Sequence, residues 1–242
     1  MRALQINQHK VHLTNILMDI YKNSLLSGVL GFKGGTAGML FYGLPRFSVD
    51  LDFDFLSDSQ KGNTLIATVT KEIGDIVESK YTVIDKSTKL NTLFWVLSYG
   101  KGFSHVKIEI STREVPYNHY TLQNYYGTSI KLITAPDMVA HKMVAIMDRT
   151  TTANKDLFDT HYFLGSKYAG DINYHIIKHR TGLEPHEFYK KLLDFLNGVD
   201  AKNILSGLGE VLTEPQKNWA KAKLLEELKG LIGRQLSLLH QN

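Results

Sequence analysis

The chain has 242 residues, 43% of them hydrophobic, which is enough for one large domain or two small ones with a buried core. It contains no cysteine, so disulfide bonds and thiolate metal sites are excluded. The net charge of +4 and the pI of about 9.0 are compatible with a polyanionic partner. Because the sequence has neither an apolar run of roughly 20 residues nor a signal peptide, we expect a soluble, cytoplasmic protein.

The first part of the chain combines helix and strand patterns. Apolar positions recur at helical spacing over residues 4–26, and residues 28–32 are typical of a short buried strand. Thr36 is in position to cap a helix over residues 37–42. Residues 49–55 alternate strictly between acidic and large apolar side chains, which predicts a strand with one polar face.

A helix is expected over residues 57–80. Four further strands follow, at YTVID, NTLFWVLSY, HVKIEIS and SIKLIT. Between the last two, the aromatic-rich residues 117–126 predict a packed hairpin or loop, with a base-stacking surface as the alternative.

From residue 135 onward the pattern predicts five or six helices, with joints near residues 150–154, 170, 182–185 and 213–215. The last helix, residues 215–239, is amphipathic and is expected to pack in the core; an oligomer or antitoxin surface is the alternative. Together these patterns predict an α+β fold, with a mixed β-sheet domain flanked by helices over residues 1–133 and an α-helical C-terminal domain over residues 134–242.

Three acids share one face of the predicted strand: Asp50, Asp52 and Asp54. Side chains two residues apart on a strand point the same way, with Cα atoms roughly 6.6 Å apart. Asp50 and Asp52 could therefore hold one Mg²⁺ ion or two, because Mg²⁺ prefers hard oxygen ligands and takes one or two carboxylates together with substrate phosphates. The alternative is a solvated sheet face whose acids meet lysines of a neighbouring strand.

Gly34, Gly35 and Thr36 precede these acids. Glycine lets the backbone approach a ligand closely and adopt positive φ, and the free N–H groups of a helix start attract phosphate. A tight strand-to-helix turn is the alternative explanation. Taken together, the glycine turn, Arg46 and the acids predict a binding site for a nucleoside triphosphate that is followed directly by a magnesium site.

This stretch resembles the signature of the AbiEii/AbiGii nucleotidyltransferase toxins, which belong to the DNA polymerase β-like nucleotidyltransferase superfamily. The resemblance consists of three segments in order: Gly34-Gly35-Thr36-Ala37, Arg46-Phe47-Ser48 and Asp50-Leu51-Asp52. Downstream, Lys107-Ile108-Glu109 is similar to the family's Lys-x-Asp motif, and the region from Thr134 through Lys142 to Lys155-Asp156 is similar to its third motif. Two residues depart from the pattern: Glu109 replaces the usual aspartate, and Gly38 replaces a bulkier apolar residue.

The resemblance implies a nucleotidyltransferase-type sheet and an enzyme that moves a nucleoside monophosphate from an NTP to a hydroxyl, releasing pyrophosphate. On this reading Asp50 and Asp52 hold Mg²⁺. Glu109, on a strand with its own alternation, completes a three-carboxylate cluster if its strand neighbours that of Asp50. It would then hold the metal that activates the hydroxyl or act as general base, whereas an exposed position on an amphipathic strand is the alternative.

The phosphate side is assigned in the same way. Gly34, Gly35 and Thr36 would bind the phosphates, and Arg46 and Lys142 would offset their charge. Lys142 and Arg149 share a helical face that could meet triphosphate oxygens, or it could be a solvated surface. Asp156 would position the nucleotide or the acceptor, although Asp156 and Asp159 could equally serve the start of their helix, where acids are favoured.

The resemblance further implies the toxin of a bacterial toxin–antitoxin or phage-defence pair, with a cognate antitoxin as partner. The expected acceptor is RNA, in particular a tRNA 3′ end. Two other functions stay open at this point: a nucleotidyltransferase that modifies a small molecule such as an antibiotic, and a non-catalytic nucleotide-binding protein that acts by engaging a partner.

Overall fold

The structure, a computed structural model, describes residues 5–56, 62–148 and 154–239. Arg149 and most of the joint expected at residues 150–154 lie outside this part. The chain forms two compact units. Unit 1 contains Met1–Phe41 and Phe47–Ile133, and unit 2 contains Tyr42–Arg46 and Thr134–Asn242. None of the described helices is long and apolar enough to cross a membrane.

Unit 1 is built on a mixed sheet of seven strands in the described residues, in the order β3-β4-β5-β2-β1-β7-β6. Strand β2 is antiparallel to β1 and parallel to β5. The elements, in chain order, are α1 (Ile6–Lys22), α2 (Ser24–Val29), β1 (Leu30–Lys33), α3 (Gly34–Phe41), β2 (Asp50–Phe55), α4 (Gly62–Glu78), β3 (Thr82–Lys89), β4 (Thr92–Ser98), β5 (Val106–Ser111), β6 (Tyr120–Tyr125) and β7 (Thr128–Ile133).

The helix expected over residues 4–26 is two helices. Asn23 separates them because its backbone is extended and its side-chain oxygen accepts the N–H groups of Leu25 and Leu26, which caps α2. The second helix continues to Val29, so the following strand begins at Leu30, two residues later than the sequence predicts.

The helix after β1 begins at Gly34, so Thr36 is not its N-cap, as the sequence suggested. The Thr36 side chain has another role. It is buried, and its hydroxyl donates a hydrogen bond of 2.5 Å to the backbone carbonyl of Asp50. This bond fixes the first turn of α3 to the start of β2.

The aromatic-rich residues 117–126 include strand β6, which the sequence did not predict as a strand, and the hairpin interpretation is confirmed. β6 pairs with β7 in antiparallel register from Tyr120↔Ile133 to Tyr125↔Thr128. The two connecting residues, Tyr126 and Gly127, have φ of 46° and 80°. Positive φ at both positions is the geometry of a type I′ turn, whose twist matches that of the flanking strands.

The apolar faces of β2 and β5 lie in the core of unit 1. Helix α1 contacts both strands, and its buried side chains follow the predicted spacing. The fully buried residues of this layer include Leu13, Ile16, Leu17, Ile20, Leu51, Phe53, Ile108 and Ile110. Because side chains alternate across a strand, the acidic residues of β2 and β5 lie on the opposite face of the sheet.

Unit 2 is helical. Its α-helices in the described residues are α5 (Ala135–Met147), α6 (Asn154–Leu164), α7 (Tyr174–Thr181), α8 (Pro185–Asn197) and α9 (Glu214–Leu238), with short 3₁₀ turns between them. Helix α9 begins with a capping box between Thr213 and Gln216. Leu224, Leu228 and Ile232 are buried, so the predicted core packing of the last helix is confirmed. The α+β fold, with a helical C-terminal part, is likewise as predicted.

Candidate active site

The acidic face of the sheet brings together residues from β2 and β5. The two strands are parallel neighbours, with Asp50 opposite Lys107 and Asp52 opposite Glu109. Residues in register on adjacent strands share a face, so Glu109 lies beside Asp52. Asp50, Asp52 and Glu109 are all half-buried. The adjacency of the two strands, on which the sequence interpretation of Glu109 depended, is confirmed.

These carboxylates have the chemistry that Mg²⁺ requires. In the described part of the chain, no three His, Asp or Glu side chains are assembled as a metal-binding group. The assignment of Asp50, Asp52 and Glu109 as ligands therefore stays a prediction. Two neighbouring carboxylates are nevertheless a sufficient protein contribution for Mg²⁺, because in nucleotide-dependent enzymes substrate phosphates and water supply the other ligands.

The glycine turn lies against Asp52. Gly34 has φ of +80°, a conformation that side chains rarely adopt. A Cβ atom at Gly34 would come within 2.8 Å of both Cβ and Cγ of Asp52, so only glycine fits here. The first N–H groups of α3, at Gly34, Gly35 and Thr36, have no partner within their own helix. The start of α3 thus offers anion-binding groups beside a carboxylate.

Asp54 differs from the other two acids of β2, because it is fully buried. Its Oδ1 lies 2.5 Å from Nζ of Lys33. Its Oδ2 accepts hydrogen bonds from the Tyr120 hydroxyl at 2.6 Å and from the Asn118 amide at 3.1 Å. For this one acid, the lysine partner of the alternative is present on a neighbouring strand, but the carboxylate is buried and not solvated. Asp54 is thus a structural residue.

His9 supports the start of β2, and the sequence analysis missed it. It is fully buried in α1; its Nε2 lies 2.9 Å from the carbonyl oxygen of Val49, and its Nδ1 lies 2.9 Å from the Tyr99 hydroxyl. Burial lowers the pKa of His9, which favours a neutral ring that donates from Nε2 to Val49. The available signal was a polar residue on the apolar face of α1, four residues before Leu13.

In unit 2 the structure brings together four predicted charges. Nε and Nη2 of Arg46 lie 2.5 and 2.7 Å from the two carboxylate oxygens of Asp159. Nζ of Lys142 lies 2.8 Å from Asp159 and 3.0 Å from Asp156. Lys142 comes from α5, and both acids come from α6. The four formal charges cancel.

The ion pairs of this cluster determine its protonation states. Burial would lower the pKa of Lys142, but the charges of Asp159 and Asp156 outweigh it and the pKa is raised. Burial would raise the pKa of Asp159, but Lys142 and Arg46 outweigh it and the pKa is lowered. Lys142 and Asp159 are therefore both charged at neutral pH. Asp159, which the sequence suggested could serve the start of its helix, is the residue that joins the two cations.

A family model described as "Nucleotidyl transferase AbiEii toxin, Type IV TA system" matches residues 15–223. The chain belongs to the AbiEii nucleotidyltransferase toxin family. The resemblance found in its motifs is thereby confirmed, and the protein is a nucleotidyltransferase of a toxin–antitoxin family. The family implies an NTP substrate and a cognate antitoxin, which argues against a non-catalytic nucleotide-binding protein.

Two solved structures from Helicobacter pylori share the fold. A candidate nucleotidyltransferase is 23% identical, with a TM-score of 0.58 over 99% of this chain and 96% of its own. JHP933 is 20% identical, with a TM-score of 0.56 over 100% of this chain and 94% of its own. A comparison with curated protein sequences gave no match. The structural likeness extends over both units of this AbiEii protein.

Proposed function

We propose that this AbiEii protein transfers a nucleoside monophosphate from an NTP to a hydroxyl of RNA, with a tRNA 3′ end as the acceptor, in a Mg²⁺-dependent reaction. The observation that carries the proposal is the contact between Gly34 and Asp52, with Glu109 in register beside Asp52. It combines a phosphate-binding turn and adjacent carboxylates within one unit, which is what an NTP with its cation needs.

In the proposed reaction, the acceptor hydroxyl oxygen bonds to the α-phosphorus and the bond to the pyrophosphate leaving group breaks. Asp50 and Asp52 would hold the divalent cation, which would supply charge stabilisation for phosphate oxygens. The first N–H groups of α3 bind the phosphates. Glu109 takes the proton of the hydroxyl, or orients that hydroxyl from its place beside Asp52.

Arg46 and Lys142 are proposed to offset the charge of the triphosphate. Both cations are already paired with carboxylates, Arg46 with Asp159 and Lys142 with Asp159 and Asp156, and this limits how they can bind phosphate. Because the cluster is neutral, phosphate oxygens must share the cations with the carboxylates rather than occupy a free cationic site. Asp156, which binds only one of these cations in the contacts described above, positions the nucleotide or the acceptor.

The proposed biological role is that of a toxin whose modification of RNA arrests growth, as part of a toxin–antitoxin or phage-defence pair in the cytoplasm. The family assignment supports the toxin role. The pI of about 9.0 and the net charge of +4 favour a polyanionic acceptor over a small neutral molecule.

The test is transfer of label from each of the four α-labelled NTPs to total tRNA in the presence of Mg²⁺. We expect labelled RNA with the wild-type protein and none with EDTA or with Asp52→Asn. The matched control is Asp75→Asn, the same change at an exposed residue of α4. Transfer that survives Asp52→Asn would contradict the metal role, and transfer to aminoglycosides or lincosamides instead of tRNA would identify a small-molecule enzyme.

A further inference from the structure

Unit 2 contains a cavity of about 420 Å³ to which the proposed reaction assigns no role. It is lined by residues from α6 and α9 and by the segment that precedes Arg46, among them Pro45, Phe158, His161, Tyr162, Gln216 and Trp219. A volume of this size falls within the range of small-molecule sites, about 300–1,000 Å³.

Aromatic rings form the walls of this cavity. The Trp219 ring lies 6.0 Å from that of Phe158, nearly perpendicular to it at 86°. It lies 4.8 Å from the His161 ring, at 58°. Trp219, His161 and Tyr162 are each half-buried, so their rings are partly open to a ligand. A site of this kind favours a flat group that gains from stacking.

Three polar side chains of the lining form hydrogen bonds within unit 2. The Tyr162 hydroxyl donates to the carbonyl of Tyr42 at 2.7 Å, and Nε2 of His161 lies 3.0 Å from Glu227. The Gln216 amide donates to the carbonyl of Pro45. Few hydrogen-bonding groups remain to contact the polar edge of a base. A ligand would therefore be held by stacking of its ring and not by its pattern of hydrogen-bond donors and acceptors.

Charge limits which part of a ligand can enter. None of the described residues that line the cavity is Lys or Arg, so it offers no cationic side chain to a phosphate. Lys223 lies one turn after Trp219 on α9 and is exposed, at the i+4 position that shares a helix face. A nucleotide within an RNA chain fits this arrangement, because its neutral base can enter the cavity while its phosphate stays outside, near Lys223.

We infer that this cavity binds one unpaired base of the acceptor RNA by stacking on Trp219, with little preference for which base. The inference rests on the proposed function for the identity of the acceptor. Stacking of a base on an aromatic side chain contributes about 1–3 kcal/mol and tolerates any base, since every base has a π face. The site thus adds affinity for single-stranded RNA without selecting a sequence.

The experiment measures binding of a labelled, unstructured RNA oligonucleotide by fluorescence anisotropy, without NTP. We expect Trp219→Leu to weaken binding roughly 5- to 100-fold and Trp219→Phe, which keeps a ring, to weaken it much less. The control is Phe103→Leu, the loss of a half-buried aromatic ring in unit 1, outside the cavity and outside residues 117–126, which should change nothing. Unchanged affinity in Trp219→Leu overturns the inference.

Tryptophan fluorescence adds a second readout. The protein has two tryptophans, and Trp95 is only 1% exposed, so quenching by a ligand reports on Trp219. Quenching by the RNA supports the inference. Quenching by an NTP, but not by the RNA, overturns it in favour of a free nucleotide.

Asp52→Asn separates this inference from the proposed function. The variant should bind the RNA as the wild type does, while transfer is lost. RNA that binds through Trp219 but never accepts label would contradict the proposed function alone. Transfer to RNA that is indifferent to Trp219→Leu would contradict the inference alone.

Discussion

At the scale of single residues, the acids of β2 show how position decides between structure and chemistry. Asp52 and Asp54 lie two residues apart on the same strand. Asp54 is fully buried and its carboxylate oxygens are bonded to Lys33, Tyr120 and Asn118. Asp52 is half-buried, and the glycine turn lies against its side chain. We therefore expect replacement of Asp54 to reduce mainly stability and replacement of Asp52 to reduce mainly activity.

We predict that Asp54→Asn lowers the free energy of unfolding by about 1.5–3 kcal/mol, because hydrogen bonds to charged groups contribute about that much. Asp52→Asn should change the free energy of unfolding by less than about 1 kcal/mol, since the side chain is half-exposed. Urea denaturation measures both, and transfer activity should show the reverse order. Equal losses of stability in the two variants would contradict the structural role of Asp54.

Gly34→Ala should abolish most of the activity. The new Cβ would lie within 2.8 Å of the Asp52 side chain, which must move, and a displacement of about 1 Å at a reacting centre can cost on the order of 10²-fold in rate. The positive φ adds a loss of roughly 1–2 kcal/mol in stability. Steady-state kinetics at saturating Mg²⁺ measures the first effect.

The matched control is Gly102→Ala in the same unit. Gly102 has φ of +89°, but a Cβ there would meet nothing within 4 Å. It should show the loss of stability and keep its activity. If both variants lose activity equally, backbone strain and not the contact with Asp52 is responsible.

At the scale of elements, helix α1 positions the start of β2 through His9. Its imidazole is hydrogen-bonded to the backbone carbonyl of Val49, the residue immediately before Asp50. The other ring nitrogen is bonded to Tyr99, whose ring stacks on His12 at 4.3 Å between centroids. Burial lowers the pKa of both histidines. The contact between α1 and β2 therefore depends on a neutral imidazole.

This arrangement predicts a loss of stability in acid. The pKa of His9 is lower in the folded protein than its ordinary value of 6.5. The neutral ring therefore contributes its full stabilisation above about pH 6.5, and this contribution is lost as the pH falls from 6.5 through the pKa of the folded protein. Urea denaturation at about pH 8 and about pH 5 should show a smaller difference for His9→Gln than for the wild type. The exposed His179→Gln serves as control, and an unchanged pH dependence in His9→Gln would contradict the prediction.

Much of the sheet and its acidic face is predictable from the sequence, because a period of two identifies a strand and its polar face without tertiary information. The positions of β2, β4 and β5 follow from this period. Strand β6 does not, since its residues are exposed on both faces and show no alternation. The boundary between α1 and α2 depends on the capping side chain of Asn23, and the pattern of apolar residues does not predict this boundary.

At the scale of the whole molecule, the chain leaves unit 1 after Phe41, contributes Tyr42–Arg46 to unit 2, and returns at Phe47. Unit 2 holds this segment by bonds to the carbonyls of Tyr42 and Pro45 and by the ion pair of Arg46 with Asp159. The sequence predicts a role for Arg46 from its motif but not its partner. That partner lies 113 residues away, and no local pattern encodes a contact at such separation.

The pair formed by Arg46 and Asp159 should therefore show energetic coupling. Arg46→Gln and Asp159→Asn each remove one partner from a buried ion pair, and we expect each to cost about 3–5 kcal/mol in free energy of unfolding. The double variant leaves neither charge alone, so its cost should fall short of the sum by about 0.5–3 kcal/mol. Asp159→Asn also removes the ion pair with Lys142, which keeps Asp156 as a partner in all three variants. Strict additivity in denaturation experiments would mean that Arg46 does not fasten its segment to unit 2.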